Sequence, residues 1–152
     1  MIISENSVLI GLDAKTKDEI IHKLSALAFQ NGSITDEEEF LKSVFEREGI
    51  SSSYCGNNIA IPHGKSKSVV LPFVMFAKLK NTINWDEEGE STDLVFMIGI
   101  PEENKDNIHL RIISFLCRKL VDDKAISFLM NKDLTAAQAF DFVNIREEDL
   151  YE

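Results

Sequence analysis

The chain has 152 residues, enough for one domain with a sizeable core and short for two. Hydrophobic residues make up 44% and charged residues 28%, as in an ordinary globular protein, and 16 basic against 26 acidic residues leave a net charge of −10. That balance argues against nonspecific nucleic-acid binding, which needs a basic surface, and no apolar run approaches the length that spans a bilayer.

The first residues, Met1-Ile-Ile-Ser-Glu5, carry no basic region and do not read as a signal peptide. Val8 to Leu12 is a short apolar run, predicted as a strand. Thr16-Lys-Asp-Glu19 has the spacing of a capping box, and Ile20, Ile21, Leu24, Leu27 and Ala28 follow at helical intervals until Asn31-Gly32. Thr35-Asp-Glu-Glu38 is a second box, with Ile34 as its staple. The stripe Phe40, Leu41, Val44, Phe45 then runs to Gly49, where the helix is expected to stop. The acidic run Asp36 to Glu39 suits the positive end of that helix, not a metal site.

Ile59-Ala-Ile61 is predicted as a strand leading into Pro62-His63-Gly64. Pro72 to Leu79 and Asp93 to Ile100 are two further strands, the latter apolar almost throughout, as for a strand covered on both faces. Trp85, in an acidic turn, is expected as a partly buried cover for the sheet. After Pro101 a polar loop, Glu102 to Asp106, leads to a helix with Ile108, Ile112, Phe115, Leu116 and Leu120 on one stripe. Ala125 to Met130 forms a short helix, and Thr135-Ala-Ala-Gln138 caps a last one. The charged tail from Arg146 to Glu152 is expected to be loosely held. Interleaved strands and helices give an α/β fold, a single-domain layered sandwich over residues 1–152. Its mixed β-sheet carries helices packed on both faces.

The three histidines read differently. His22 lies on the polar side of its helix and faces solvent. His63 follows a proline that fixes the backbone and precedes a glycine, at a strand end, where α/β domains place chemistry. Its pattern fits a functional imidazole and a hydrogen-bonded structural one equally. His109 starts a helix beside the apolar stripe, an ordinary place for a structural histidine. Arg47 reads as a cation at a helix C-terminus. Gly64-Lys65-Ser66 imitates the end of a phosphate-binding loop, but Ile59 stands where that motif needs glycine. No zinc-ligand spacing is present, so neither a metal nor a cofactor is expected, and Cys55 and Cys117 are expected as free thiols in a reducing cytoplasm.

The stretch from Arg47 to Lys65 resembles the active-site segment of the type-2 enzyme IIA domains. These are the fructose–mannitol family of the bacterial phosphoenolpyruvate-dependent sugar phosphotransferase system. Glu48 supplies the acidic or amide residue that opens the family signature, Gly56 its small residue, and Ile59-Ala60-Ile61-Pro62-His63-Gly64 its close. Cys55 departs from the aliphatic or Phe of the pattern and, as a small hydrophobe, is expected to be buried there. The likeness continues through Asp93 to Leu120.

The resemblance implies that His63 is phosphorylated on Nε2 by the histidine-containing phosphocarrier protein. It passes the group to a cysteine of enzyme IIB, and the membrane enzyme IIC couples this to sugar entry. It implies that Arg47 and His109 complete the catalytic site and that Ser51 and Ser53 either donate to phosphate or form the turn. Lys65 is expected, by default, as a solvated loop residue. The protein would be a cytoplasmic phosphotransferase that neither binds nucleic acid nor inserts in the membrane. Two alternatives share the fold: a regulatory nitrogen-related paralogue that acts by phosphorylation-dependent protein binding, and a noncatalytic binding domain.

Overall fold

The computed structural model describes residues 2–86, 88–103 and 107–151. Six strands form one sheet: β1 (Val8–Leu12), β2 (Tyr54–Gly56), β3 (Ile59–Ala60), β4 (His63–Ser66), β5 (Phe73–Asn84) and β6 (Ser91–Pro101). Five α-helices accompany them: α1 (Lys17–Gln30), α2 (Glu37–Ile50), α3 (Ile108–Leu120), α4 (Asp123–Leu129) and α5 (Ala136–Val143). The strand order is β1-β5-β6-β3-β2, with β4 also on β6. The sheet is mixed: β1 runs parallel to β5, β5 antiparallel to β6, and β3 and β4 both parallel to β6.

The alternation of a strand sorts its side chains onto two cores. Val74, Phe76, Leu94, Phe96, Ile98 and Ile100 meet Ile112, Leu116 and Leu120 of α3, with Leu129 of α4 and Ala139 and Val143 of α5. Phe73, Met75, Ala77, Val95 and Met97 meet Ile20, Ile21, Leu24 and Ala28 of α1 and Phe40 and Val44 of α2. Helices therefore cover both faces, which is why β6 is apolar without alternation.

Several local expectations are revised. Asp36, not Thr35, caps α2: its carboxylate accepts the Glu39 N–H at 3.1 Å. Thr35 is already committed, its N–H to the Ser68 carbonyl at 2.8 Å and its hydroxyl to the same oxygen at 3.3 Å. α2 also runs past Gly49 to Ile50, because Arg47 Nη1 donates to the Ser51 carbonyl at 3.0 Å and closes the helix end. Trp85 is buried inside the second core, at 1% exposure.

The tail packs: Leu150 is buried, and Arg111 donates to its carbonyl at 3.3 Å and lies 4.6 Å from the Tyr151 ring. Cys55 and Cys117 are free and exposed. The Cys55 Sγ donates to the Ile59 carbonyl at 3.3 Å, and partial burial, then the neighbouring Cys117, push its thiol up to about 11. Edge strand β2 leaves that side chain at the surface, where the signature suggested burial. The loop expected over Glu102 to Asp106 is described only at Glu102 and Glu103; residues 104–106 lie outside the described residues.

One break in the sheet positions the site. β3 and β4 are two pieces of a line along β6, separated by Ile61 and Pro62. Proline has no N–H for the ladder, although its carbonyl still accepts the Ile98 N–H at 3.0 Å. Pairing resumes at His63, opposite Ile98, so His63 opens β4 instead of trailing β3. The next pair is Gly64 with Gly99. A Cβ on Gly99 would fall within the Phe73 ring, which lies across that glycine from β5. Gly99→Ala is therefore expected to lower unfolding stability by about 1–3 kcal/mol through overpacking. A urea midpoint equal to wild type would show that the ring yields freely.

Candidate functional site

A cavity of about 320 Å³ opens at the β4 edge of the sheet, between α2 and the start of α3. α2 contributes Ser43, Glu46, Arg47 and Ile50; β4 contributes His63, Gly64 and Lys65; β6 and α3 add Ile100 and His109. Gly64 explains why α2 comes so close. A Cβ there would collide with Ser43 Oγ and stand 2.8 Å from Val44 Cγ2. The missing side chain lets the helix lie directly on the strand and carries Arg47 to His63.

His63 Nδ1 lies 3.0 Å from the Ile61 carbonyl oxygen. A carbonyl can only accept, so Nδ1 carries the proton and Nε2 keeps its lone pair. Burial lowers the His63 pKa from its ordinary value, and the Arg47 charge adds to this; the Ile61 carbonyl and Glu48 oppose. Burial also lowers the pKa of His109, with His63 and Lys65 contributing. Both imidazoles are thus held toward the neutral form beside two cations. A neutral nucleophilic nitrogen facing fixed positive charge suits attack on, and retention of, an anionic group. Among the described residues no group of three or more His, Cys, Asp or Glu side chains is placed to hold a metal ion.

The structure brings His63, Arg47 and His109 to one cavity and leaves Ser51 and Ser53 outside it. Ser51 accepts from Arg47 Nη1 through both its carbonyl and its hydroxyl, at 3.0 and 3.3 Å. The Ser53 hydroxyl is buried with no hydrogen-bond partner, while its backbone joins Glu48 and Ile61. His22 is exposed and packs on Phe45, 5.5 Å between ring centres. Lys65 lines the cavity, a place its loop position did not suggest. Sequence reading missed Ser43, Glu46 and Ile50, although with Arg47 they recur at intervals of three, four and seven, one helix face.

A single mixed sheet covered by helices on both faces, with a proline-set histidine sharing a cavity with an arginine and a second histidine, defines a layered α/β domain of the IIA type. The chain belongs to the family described as "Phosphoenolpyruvate-dependent sugar phosphotransferase system, EIIA 2", whose pattern matches residues 1–144. It is 36% identical over 115 residues to the PTS system fructose-like EIIA component of Escherichia coli, covering 75% of this chain and 77% of that one. The fold matches the nitrogen regulatory protein IIA-Ntr of Neisseria meningitidis with a TM-score of 0.84 at 21% identity, over 94% of this chain and 97% of that one. It also matches the Escherichia coli complex of enzyme IIAMTL and phosphorylated enzyme IIBMTL, with a TM-score of 0.79 at 23% identity, over 94% and 97%. Other relatives are longer: the chain spans 22% of the fructose-specific EIIABC component of Bacillus subtilis, to which it is 27% identical over 93% of its own length.

His63 and His109 are expected to titrate below the ordinary 6.5. Between the folded midpoints and that value the unfolded chain binds more protons, so stability rises with pH across the window and falls as the pH drops through it. NMR titration of the imidazole resonances checks this, with Arg47→Met raising the His63 midpoint and Lys65→Met raising that of His109. Midpoints at or above 6.5 in the wild type would contradict the site's electrostatics.

Proposed function

We propose that the chain is a IIA phosphocarrier that takes a phosphoryl group on His63 Nε2 and hands it to a cysteine of an enzyme IIB. The observation that carries this reading is the single His63 tautomer, fixed by the Ile61 carbonyl at 3.0 Å in a cavity shared with Arg47 and His109. The Nε2 lone pair attacks the phosphorus of the phosphocarrier protein's phosphohistidine. The donor P–N bond breaks, and its electron pair returns to the donor imidazole. In the second half, a IIB thiolate attacks the same phosphorus and the pair returns to His63. No step requires an added base, because the attacking nitrogen is already unprotonated and Nδ1–H stays on Ile61 throughout.

Phosphoryl transfer depends chiefly on positioning and charge stabilisation. Arg47 spends Nη1 on Ser51, which orients the guanidinium and leaves its other edge for phosphate oxygens. His109 donates to the phosphoryl group from the opposite wall. The incoming negative charge offsets the influence of His63 and Lys65 and favours a protonated His109 while the phosphate is held. Ser51 acts through Arg47 and Ser53 through the loop backbone. Lys65 adds positive potential at the mouth.

Support for a IIB acceptor comes from the mannitol IIA of similar fold, known in complex with phosphorylated IIB, and relatives named Multiphosphoryl transfer protein are consistent with a phosphocarrier donor. No described helix is long and apolar enough to cross a membrane. We place the protein in the cytoplasm, delivering phosphate to a membrane IIC through IIB. The fructose-like EIIA relative favours sugar uptake over the nitrogen-regulatory reading, because the likeness to IIA-Ntr at 21% identity speaks to fold alone.

Incubation with phosphoenolpyruvate, enzyme I and the phosphocarrier protein, followed by intact mass, is expected to show one added phosphoryl group. His63→Ala abolishes it and His22→Ala does not. An unmodified wild type would sink the carrier reading in favour of a noncatalytic domain. Arg47→Ala and His109→Ala are each expected to slow transfer by about two orders of magnitude, the scale seen when one preorganised charge-stabilising donor is removed. Phosphate that reaches no IIB cysteine would favour the regulatory alternative.

A further inference from the structure

Arg47 and Glu48 are consecutive on α2, so their side chains leave the helix in different directions. Arg47 lines the His63 cavity. Glu48 turns inward, its side chain 4% exposed, beneath the loop that leads to β2. Glu48 Oε2 accepts the Ser53 N–H at 3.4 Å and lies 3.5 Å from Lys17 Nζ of α1. The Ser53 carbonyl accepts the Ile61 N–H at 3.0 Å, and the Ile61 carbonyl accepts His63 Nδ1–H at 3.0 Å. A series of hydrogen bonds thus runs from a buried carboxylate, through the backbone of Ser53 and Ile61, to the imidazole. The N–H and the carbonyl of one residue lie in different peptide planes, so each link acts by fixing the backbone of the residue that supplies the next.

We infer that Glu48, held by Lys17, is a positioning residue that sets the His63 tautomer by fixing the backbone of Ser53 and Ile61. The rival explanation is that the Lys17–Glu48 pair serves stability alone. A buried carboxylate is a poor stability device, because its desolvation offsets the attraction. Glu48 is worse than most, since its Oε1 is buried with no hydrogen-bond partner among the described residues. What the carboxylate does provide is an acceptor for the N–H of Ser53, the loop residue whose carbonyl faces Ile61. Arg47 grips the same loop two residues earlier, at the Ser51 carbonyl. The loop is therefore fixed from α2 at two points on either side of Ser52.

The test compares Glu48→Gln with Glu48→Ala in the full chain. Glutamine keeps a carbonyl oxygen for Ser53 N–H; alanine does not. Three readouts are taken: amide hydrogen exchange at Ser53 and Ile61, the ring nitrogen shifts of unphosphorylated His63, and the rate of transfer from the phosphorylated phosphocarrier protein. Wild type and Glu48→Gln are expected to show one Nδ1–H tautomer and protected amides, with rates within about threefold of each other. Glu48→Ala is expected to lose protection at both amides, to populate the Nε2–H tautomer and to slow transfer roughly ten- to a hundredfold.

A folded Glu48→Ala that keeps the single tautomer overturns the inference. So does a Glu48→Gln as impaired as the alanine variant, since charge and not the acceptor would then matter. Fast exchange of the Ser53 amide in the wild type overturns it too, and needs no variant to fold. The rate readout rests on the proposed carrier function. The exchange and tautomer readouts do not, so a protein that never takes up phosphate fails the former and still answers the latter.

Discussion

The molecule is built around the contact between α2 and β4, and that contact depends on an atom Gly64 does not have. With no Cβ, the strand accepts Ser43 and Val44 of α2 against its backbone. The helix then lies close enough for Arg47 to share a cavity with His63. The partner of Gly64 across the ladder is Gly99, which is itself covered by the Phe73 ring. Two glycines side by side thin the sheet at its working edge, and bulky side chains from a helix and a strand fill the space. Packing this tight is rigid and gives the cavity a fixed platform.

The electrostatics follow from that placement. Burial alone pushes His63 toward its neutral form, and the nearby guanidinium pushes in the same direction. The cost of holding an arginine, a lysine and two imidazoles together is small while the imidazoles are neutral. It becomes a gain when an anion arrives. The resting site is thus prepared for negative charge, and its hydrogen bonds orient groups instead of neutralising them. The backbone takes the larger share of this work: the Ile61 carbonyl holds the imidazole and the Ser51 carbonyl holds the guanidinium.

The sheet behind the site is an unusual compromise along one line. β3 and β4 both pair with β6, yet Pro62 interrupts them and contributes no donor. The interruption frees Ile61 to turn its carbonyl toward His63 while its N–H is taken by Ser53. A continuous strand would have spent that carbonyl on the ladder. Either side of the gap, β6 is buried on both faces by two separate apolar clusters, which keeps the broken line straight.

Much of this was legible from residue order. The caps at Thr16 and Thr135, the apolar run of β6 and the stripes of α1 and α3 each state a local preference that the tertiary structure had no reason to override, although Glu19 takes the Lys15 N–H and leaves the box at Thr16 half-formed. Pro62-His63-Gly64 marked the histidine that lines the cavity, and the signature around it pointed to Arg47 and His109, which line it too. The misses are of another kind. Thr35 lost its cap because its hydroxyl found Ser68, 33 residues away in sequence, and Leu150 anchored the tail through Arg111.

Lys65 and Ile50 joined the cavity, and Ser51 and Ser53 stayed outside it, because of how a helix sits on a strand. By itself the sequence determined which segments are helix or strand, and which histidine follows a rigid proline, since these depend on neighbours within a few residues. Only the tertiary structure decided the gathering of His63, Arg47 and His109 in one cavity and the burial of Glu48 beside Lys17. Those depend on atoms brought together across the sheet, whose distances no local pattern encodes.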